Sequence, residues 1–334
     1  MSNEESYRFA LTLFKPDETS LGQFPVEMDW EPAIEWTRFL ALRRGAGEAR
    51  EEAEVEPIWH GVQGPPYVQG FRVRLGSEAP ASFPLAYFAD GARAIAAGLV
   101  DSGELGKGDA YLYQPLAYRR ASSEQKRSPF VTEDVTPAVD LEEVALDELR
   151  AGASRQGVIA EDEDEMPAFL PQAVLEEVKS LAATAGSIET GGVLLGRLGR
   201  DKVSGELACV VSAQVHARHA RSDSTSLHFT ADTWTEVRQV MALRGEGELM
   251  VGWWHSHPVS AWCRRCSEES QRRCALAQDF YSEHDRALHR TVFPKAYSLG
   301  LVVNAVGYGE FTLSLFGWKN GILDSRGFHA TEVS

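Results

Sequence analysis

Two histidines one residue apart, His255 and His257, stand at the end of an apolar run that reads GWWHSHP. Side chains two residues apart on a β-strand point to the same face, so both imidazoles can converge on one point while Ser256 faces away. Pro258 suits a sharp loop or the first turn of a following helix. A catalytic zinc site has three protein ligands and one open position. The pair alone fits the half-buried end of a strand as well as a metal centre, and a metal centre would need a third ligand and a base.

Residues that could complete such a centre lie on both sides of the histidine pair. Downstream, Ser282 and Asp285 are three residues apart in a segment of helical character, and this spacing places them on one helix face. Upstream, Glu189 precedes Gly191 and Gly192, two residues that let another backbone approach closely. A carboxylate beside zinc-bound water is the usual general base. Singly, each of the three polar residues could instead be a helix-end carboxylate, a helix cap or an ion-pair partner.

In this order, Glu189, the motif His255–Pro258 and the motif Ser282–Asp285 resemble the JAMM motif of the JAB/MPN metallopeptidases. That motif is a Glu, a long gap, H-S/T-H-P, a short gap and S-x-x-D. The resemblance covers residues 168–320, including the segments ETGGVLLG and YSLGLVVN. It implies an α/β fold in which a mixed, cytidine-deaminase-like sheet is flanked by helices. We expect a prokaryotic member of the family.

The resemblance also implies a role for each matching position. His255, His257 and Asp285 would bind Zn²⁺. Glu189 would activate a water molecule and move its proton, and Ser282 would stabilise the oxyanion. The implied activity is that of a zinc-dependent isopeptidase or peptidase, which cleaves after the C-terminal tail of a ubiquitin-like protein during deconjugation or precursor processing. The implied partners are that modifier or its conjugate, together with E1-like or E2-like enzymes.

Three other functions are compatible with parts of the pattern. A non-catalytic MPN scaffold would keep the fold and lose ligands, so the complete ligand set favours the enzyme. A peptidase that processes the precursor of a sulfur-carrier protein would use the same site. A cysteine-based enzyme would pair Cys263 or Cys266 with His255, but cysteines at C-x-x-C spacing are typical of metal ligands.

The segment 259–281, between the two histidine-containing motifs, is longer than the family pattern and carries three cysteines. C-x-x-C is a common half of a structural zinc site. We therefore predict a second zinc, for which the alternative is a set of reduced thiols on a flexible loop. Cys209 lies in an apolar strand and is expected to be a packing residue. The predicted ligands of the second zinc are Cys263, Cys266 and Cys274, with His284 or His289 as the fourth.

Composition divides the chain into two domains joined by an acidic linker. Residues 1–152 combine helical segments with strands rich in aromatic and β-branched residues, which predicts an α+β domain. They contain no chemical motif, so we expect a recognition or partner module. Residues 153–167 are small, polar and then acidic, as in a solvated linker. Residues 168–334 form the predicted metallopeptidase domain.

Charge and hydropathy argue against nucleic acid and membranes as partners. The net charge of −16 repels phosphate backbones, which argues against nucleic acid. No stretch of 18 apolar residues is present, which argues against a transmembrane helix. The first residues, MSNEESYRFALTLFK, lack the basic and apolar regions of a signal peptide, so we expect a cytoplasmic protein.

Overall fold

The computed structural model describes residues 7–45, 53–76, 78–119, 139–157, 165–278, 280–307 and 309–332. The chain forms two compact units. The first comprises residues 1–138 with 320–322, and the second comprises residues 139–319 with 323–334. Within the described ranges, no helix is both long enough and apolar enough to cross a lipid bilayer.

The first unit is an α+β domain, as the sequence predicts. Its elements are β1 (Tyr7–Phe14), β2 (Ser20–Val26), α1 (Glu31–Arg43), β3 (Ala53–Trp59), β4 (Val68–Leu75), β5 (Ala81–Pro84), α2 (Ala89–Asp101) and β6 (Leu112–Arg119). They form two antiparallel sheets with the orders β2-β1-β6 and β3-β4-β5. Trp30, Phe71 and Tyr87 pack ring against ring in the core of this unit.

The second unit contains the remaining elements. These are β7 (Leu141–Val144), α3 (Leu146–Ala151), β8 (Ala153–Gln156), β9 (Ala168–Pro171), α4 (Gln172–Ala185), β10 (Gly191–Asp201), β11 (Leu207–His216), β12 (Arg221–Ser222), β13 (Leu227–His228), α5 (Ala231–Arg244), β14 (Leu249–His257), α6 (Val259–Trp262), α7 (Glu268–Arg272), α8 (Glu283–Val292), β15 (Leu299–Gly307), β16 (Glu310–Lys319), β17 (Ile322–Arg326) and β18 (Phe328–Thr331).

A mixed sheet of ten strands forms the centre of the second unit. Its order is β17-β16-β15-β14-β10-β11-β9-β18-β8, and β7 pairs with the far end of β10. Strand β14 lies between an antiparallel and a parallel neighbour. Gly191 of β10 pairs with His255, and Asn304 of β15 pairs with His257. This sheet, with helices against it, confirms the fold class predicted for the C-terminal half.

Local sequence explains where the flanking helices begin and end. The apolar positions of α4, among them Val174, Val178 and Ala182, recur at helical spacing and are buried. Helix α5 starts at a capping box made by Thr230 and Thr233. It ends before Gly245, which adopts the left-handed conformation (φ 64°) that closes many helices.

The boundary between the units differs from the one predicted at residue 152. Strand β7 pairs with β10, and β8 pairs with β18, so residues 139–156 belong to the second unit. Part of the predicted linker, residues 153–156, is therefore a strand, whereas residues 158–164 lie outside the described residues. Both strands are four residues long and mostly exposed, and such strands carry no periodic apolar signal.

Candidate metal centre

The two histidines of the HSHP motif converge at the end of β14. The strand is continuously apolar before them and is buried between β10 and β15, as expected for a central strand. His255 and His257 are fully buried, and their Nε2 atoms lie 3.0 Å apart. The period-two argument from the sequence is confirmed, because both rings occupy the same face of the sheet.

Asp285 reaches the same point from the first turn of α8. Its backbone N–H donates to the Ser282 hydroxyl oxygen (3.1 Å), and the Ser282 N–H donates to its Oδ2 (2.8 Å). This is a reciprocal capping box at the start of the helix. Oδ1 of Asp285 lies 3.3 Å from His255 Nε2, and Oδ2 lies 3.7 Å from His257 Nε2. The cap thus fixes the carboxylate beside both imidazoles.

The spacing of these donor atoms suits a tetrahedral zinc ion. Zinc bonds of about 2.0–2.2 Å to nitrogen and oxygen place neighbouring ligand atoms roughly 3.3–3.4 Å apart. The distances of 3.0, 3.3 and 3.7 Å lie around this value. Within the described part of the chain, His255, His257 and Asp285 are the only three such side chains whose donor atoms all lie within 4.8 Å of one another. The residues predicted to bind zinc therefore fit it.

Asn304, which the sequence did not single out, orients one of the ligands. Its Oδ1 lies 3.2 Å from His257 Nδ1, and an amide oxygen can only accept, so Nδ1 carries the hydrogen. The Nε2 lone pair of His257 then faces His255 and Asp285. The Asn304 amide in turn donates to the Ser314 hydroxyl (3.4 Å), which donates to the Gln278 carbonyl (3.1 Å). Metal-binding histidines usually have such a partner on the second nitrogen.

An aromatic cluster fixes the ring of His255 from the other side. The Trp253 ring stacks on it at 4.5 Å with an interplanar angle of 11°. The Trp253 indole N–H donates to Nδ1 of the buried His289 (3.2 Å), and the Tyr281 hydroxyl lies 3.1 Å from the same atom. Burial lowers the pKa of His289 to about 3. It is a neutral packing residue beneath the site.

Electrostatics favour a negative carboxylate at Asp285 with positive charge beside it. For Asp285, burial alone would raise the pKa, but the charge of His255 and hydrogen bonds from the site lower it well below its usual range. Burial also opposes the charged form of His255, yet the charges of Asp285 and Glu189 outweigh it and raise that pKa. For His257, burial prevails and lowers the pKa. A dication would supply the positive charge that this carboxylate pocket favours, in place of the proton on His255, because a metal ligand must be deprotonated.

Glu189 is held next to the histidines by the backbone that follows it. The Ser256 N–H donates to the Thr190 carbonyl (2.8 Å), and the Thr190 N–H donates to the Ser256 hydroxyl (3.0 Å). A Cβ on Gly191 would overlap the Trp254 carbonyl, so only glycine permits this close approach. Burial raises the pKa of Glu189 to about 7, with the charge of His255 opposing the shift. A carboxyl that titrates near neutrality suits proton transfer.

Ser282 lies beside the ligand set through its cap on Asp285. In the bond from the Asp285 N–H, the Ser282 oxygen is the acceptor, so its hydroxyl hydrogen takes no part in that bond. Its role as an oxyanion donor stays a prediction. The structure shows that the two residues occupy adjoining positions, as their i, i+3 spacing predicts.

The cysteines and their proposed histidine partners lie in different surroundings. Cys263 lies near enough to Cys266 and Cys274 for their thiols to raise its pKa. His284 instead approaches the Leu227 carbonyl, and His289 belongs to the aromatic cluster. The predicted four-ligand zinc site is therefore not assembled with either histidine. Cys209 is fully buried in β11, consistent with a packing residue.

The cysteine-nucleophile alternative finds no support in the surroundings of the thiols. Burial and the neighbouring thiols raise the pKa of Cys263 to about 11, whereas a nucleophilic cysteine needs a lowered pKa. The Nε2 atom of His255 is directed at His257 and Asp285. We therefore set this alternative aside.

Comparison with known proteins finds a family model that matches part of the second unit. Residues 168–279 match a family described as JAB1/Mov34/MPN/PAD-1 ubiquitin protease. No curated protein matches the chain. Among solved structures, the chain is similar to the solution structure of protein DSY2949 from Desulfitobacterium hafniense, with 22% identity, a TM-score of 0.30, and coverage of 48% of this chain and 89% of that one. From the family match we conclude that this chain carries a JAB/MPN domain.

Proposed function

We propose that the protein is a zinc-dependent isopeptidase or peptidase that cleaves after the C-terminal tail of a ubiquitin-like protein. The observation that carries the proposal is the convergence of His255, His257 and Asp285, with donor atoms 3.0–3.7 Å apart. The description of the matched family as a ubiquitin protease supports the substrate class. The family match ends at residue 279, so the assignment of Asp285 depends on its geometry.

The residues of the site divide the work of peptide hydrolysis. His255, His257 and Asp285 would hold a zinc ion, which would lower the pKa of a bound water to about 7 and polarise the scissile carbonyl. Glu189, with its pKa near 7, accepts a proton from the attacking water and returns it to the departing amine. The Ser282 hydroxyl donates to the carbonyl oxygen as charge develops on it. One such donor contributes about 3–4 kcal/mol.

Two other functions would use the same fold. In a non-catalytic scaffold the site would serve only to bind a partner, and the complete ligand set with a base of pKa near 7 favours catalysis over this function. Processing of a sulfur-carrier precursor requires the same chemistry on a different tail. The substrates chosen for the assay separate this second activity from deconjugation.

The first unit is proposed to recognise the modifier, its target or an E1-like or E2-like partner. The overall charge of −16 suits a basic surface on that partner, since complementary charge speeds association. A cytoplasmic location stays a prediction, as does the prokaryotic origin.

The experiment is cleavage of modifier fusions. The full chain is incubated with fusions of ubiquitin-like and sulfur-carrier proteins, and mass spectrometry reads the cut position. We expect cleavage after the modifier's last residue, its loss with a chelator, and its recovery on adding Zn²⁺. Glu189→Gln should lower the rate by roughly 10²–10⁴-fold because the base is lost. Asp285→Asn should abolish both zinc binding at this site and cleavage.

The matched control is Glu283→Gln, which removes an exposed carboxylate from the same helical turn. Its rate should equal that of the unaltered protein. Full activity of Glu189→Gln, or activity of Asp285→Asn in metal-free buffer, would contradict the proposal. Zinc binding by the unaltered chain without cleavage of any fusion would favour the scaffold.

A further inference from the structure

Three cysteines lie close together in the segment that separates the two parts of the catalytic site. Helix α6 leads directly into Cys263, and the backbone N–H of Cys266 donates to the Cys263 carbonyl (2.9 Å), which closes a tight C-x-x-C turn. Helix α7 follows and leads to Cys274. None of the three forms a disulfide. The segment therefore presents three free thiols on a short stretch of ordered backbone.

The thiols are held together by one glutamine and a small apolar cluster. The Gln271 side-chain amide donates to the carbonyls of Cys263 (3.1 Å) and Cys266 (3.2 Å), so it ties α7 to the C-x-x-C turn. Cys263 and Cys274 pack against the buried pair Val259 and Val306. The thiols of Cys266 and Cys274 lie near enough to Cys263 to contribute to its raised pKa. The backbone positions of all three cysteines are thus fixed relative to one another.

We propose that Cys263, Cys266 and Cys274 bind a thiophilic divalent cation, Zn²⁺ in the cell, as three thiolates with a solvent molecule as the fourth ligand. Zinc accepts sulfur ligands in tetrahedral geometry, and C-x-x-C is the usual spacing of two of them. The site is separate from the His255–His257–Asp285 centre, and it does not depend on the proposed function.

Binding requires the three thiols to come closer together. The three sulfur atoms do not all lie within 4.8 Å of one another. Cys266 is exposed, so its side chain can turn to another staggered rotamer without disturbing a packed neighbour. Cys263 and Cys274 are partly buried and supply the fixed half of the site.

The chemistry of the cluster favours a cation over an isolated reactive thiol. Burial and neighbouring thiols raise the pKa of Cys263 to about 11, because crowded thiolates repel one another. A divalent cation removes this repulsion and replaces the protons, so its binding releases protons and strengthens with rising pH.

A bound cation would also brace one side of the catalytic site. Trp262, next to Cys263 in the chain, lies with its ring 5.1 Å from that of His257, and its indole N–H donates to the Ser224 carbonyl. The cysteine segment packs along β15, the strand that carries Asn304. Fixing Cys263 therefore fixes a ring in contact with a catalytic ligand.

The test is metal content and cobalt spectroscopy on three forms of the full chain. We expect two equivalents of zinc in the unaltered protein. One equivalent should remain in His255→Ala/His257→Ala and one in Cys263→Ser/Cys266→Ser/Cys274→Ser. Loaded with Co²⁺, the histidine variant should show thiolate-to-metal charge-transfer absorption, and the cysteine variant should not. Cys209→Ala is the matched control, and it should keep both equivalents and the absorption band.

Several results would overturn the inference. One is a histidine variant with no zinc and no charge-transfer band. Another is a thiol titration of the native protein that finds two of the three cysteines oxidised to a disulfide. Circular dichroism checks that the triple cysteine variant is folded. If it is not, the single variant Cys266→Ser, at an exposed position, takes its place and should likewise weaken the charge-transfer band. Because the charge-transfer band reports only on thiolate ligands, its absence would not affect the catalytic proposal.

Discussion

Asn304 allows a direct test of the candidate metal centre because its side chain contacts the predicted ligand His257 and would not bind the metal itself. Replacing it with leucine keeps a similar volume but removes the oxygen that accepts from His257 Nδ1 at 3.2 Å. The imidazole then loses the bond that fixes its tautomer and its orientation. We expect zinc to bind more weakly to Asn304→Leu than to the unaltered protein.

The magnitude follows from the environment of this bond. Both partners are buried, so the His257 N–H has no water to replace the lost acceptor. A buried donor left unsatisfied costs about 1–3 kcal/mol. Loss of a histidine's second hydrogen-bond partner typically lowers metal affinity by about 10–100-fold, which corresponds to roughly 1.4–2.7 kcal/mol. The two ranges agree, so we expect a zinc Kd at least about tenfold higher.

The assay is competition for zinc against a chromophoric chelator. Cys263, Cys266 and Cys274 are replaced by serine so that only the site of His255, His257 and Asp285 is measured. Asn304→Asp restores an acceptor for His257, so it should recover most of the affinity. Ser314→Ala removes the next two bonds in the chain, from the Asn304 amide (3.4 Å) and to the Gln278 carbonyl (3.1 Å). It keeps the acceptor for His257 and should therefore have a smaller effect. Guanidinium unfolding of the metal-free variants separates binding from folding.

An Asn304→Leu protein that folds normally and has a zinc Kd within twofold of that of the unaltered protein would contradict this prediction. If Asn304→Leu is too unstable to measure, the zinc Kd values of Asn304→Asp and Ser314→Ala are compared instead, to determine whether the acceptor for His257 is the important feature. Weaker binding in Ser314→Ala than in Asn304→Asp would show that the far end of the chain of bonds matters more than the acceptor.

Two further predictions concern pH. Glu189 acts as a base only when deprotonated, and a bound dication can only lower its pKa from about 7. The pKa that governs the loss of kcat/KM at acidic pH should therefore be about 7 or lower. A value a full pH unit higher would exclude Glu189 as the base. His289 has a pKa of about 3 in the folded protein against 6.5 unfolded, so the unfolded state binds more protons between these values. As the pH drops from 6.5 towards 3, the contribution of His289 should therefore lower the free energy of unfolding by about 1.4 kcal/mol per pH unit. His289→Gln should reduce that slope in urea titrations, and an unchanged slope would contradict the assignment.

The sequence predicted the parts of the site that depend on local geometry. The side chains of His255 and His257 share a face because a strand repeats every two residues. Asp285 joins them from a separate segment, and only the resemblance to a family motif indicated that this segment comes near. The segment of helical character that holds Ser282 and Asp285 forms its helix from Glu283 onward, because Ser282 serves as the cap.

Features that depend on pairing between distant strands could not be predicted in the same way. Asn304 meets His257 only because β15 lies parallel to β14 in one particular register. Strands β7 and β8 are short and largely exposed, so their sequences lack the alternation that marks a strand. Their pairing partners, β10 and β18, are far away in the chain, and this explains why the second unit begins earlier than composition suggested.

The capping box at the start of α8 has a consequence for how the metal is acquired. Because the backbone and the carboxylate of Asp285 are both tied to Ser282, the ligand is already ordered when the helix forms. The Asp285 side chain then loses little conformational entropy when the metal binds, so ordering this ligand reduces the binding free energy only slightly. Uptake should accordingly be rapid, and it should proceed without a change in helical content that circular dichroism could detect.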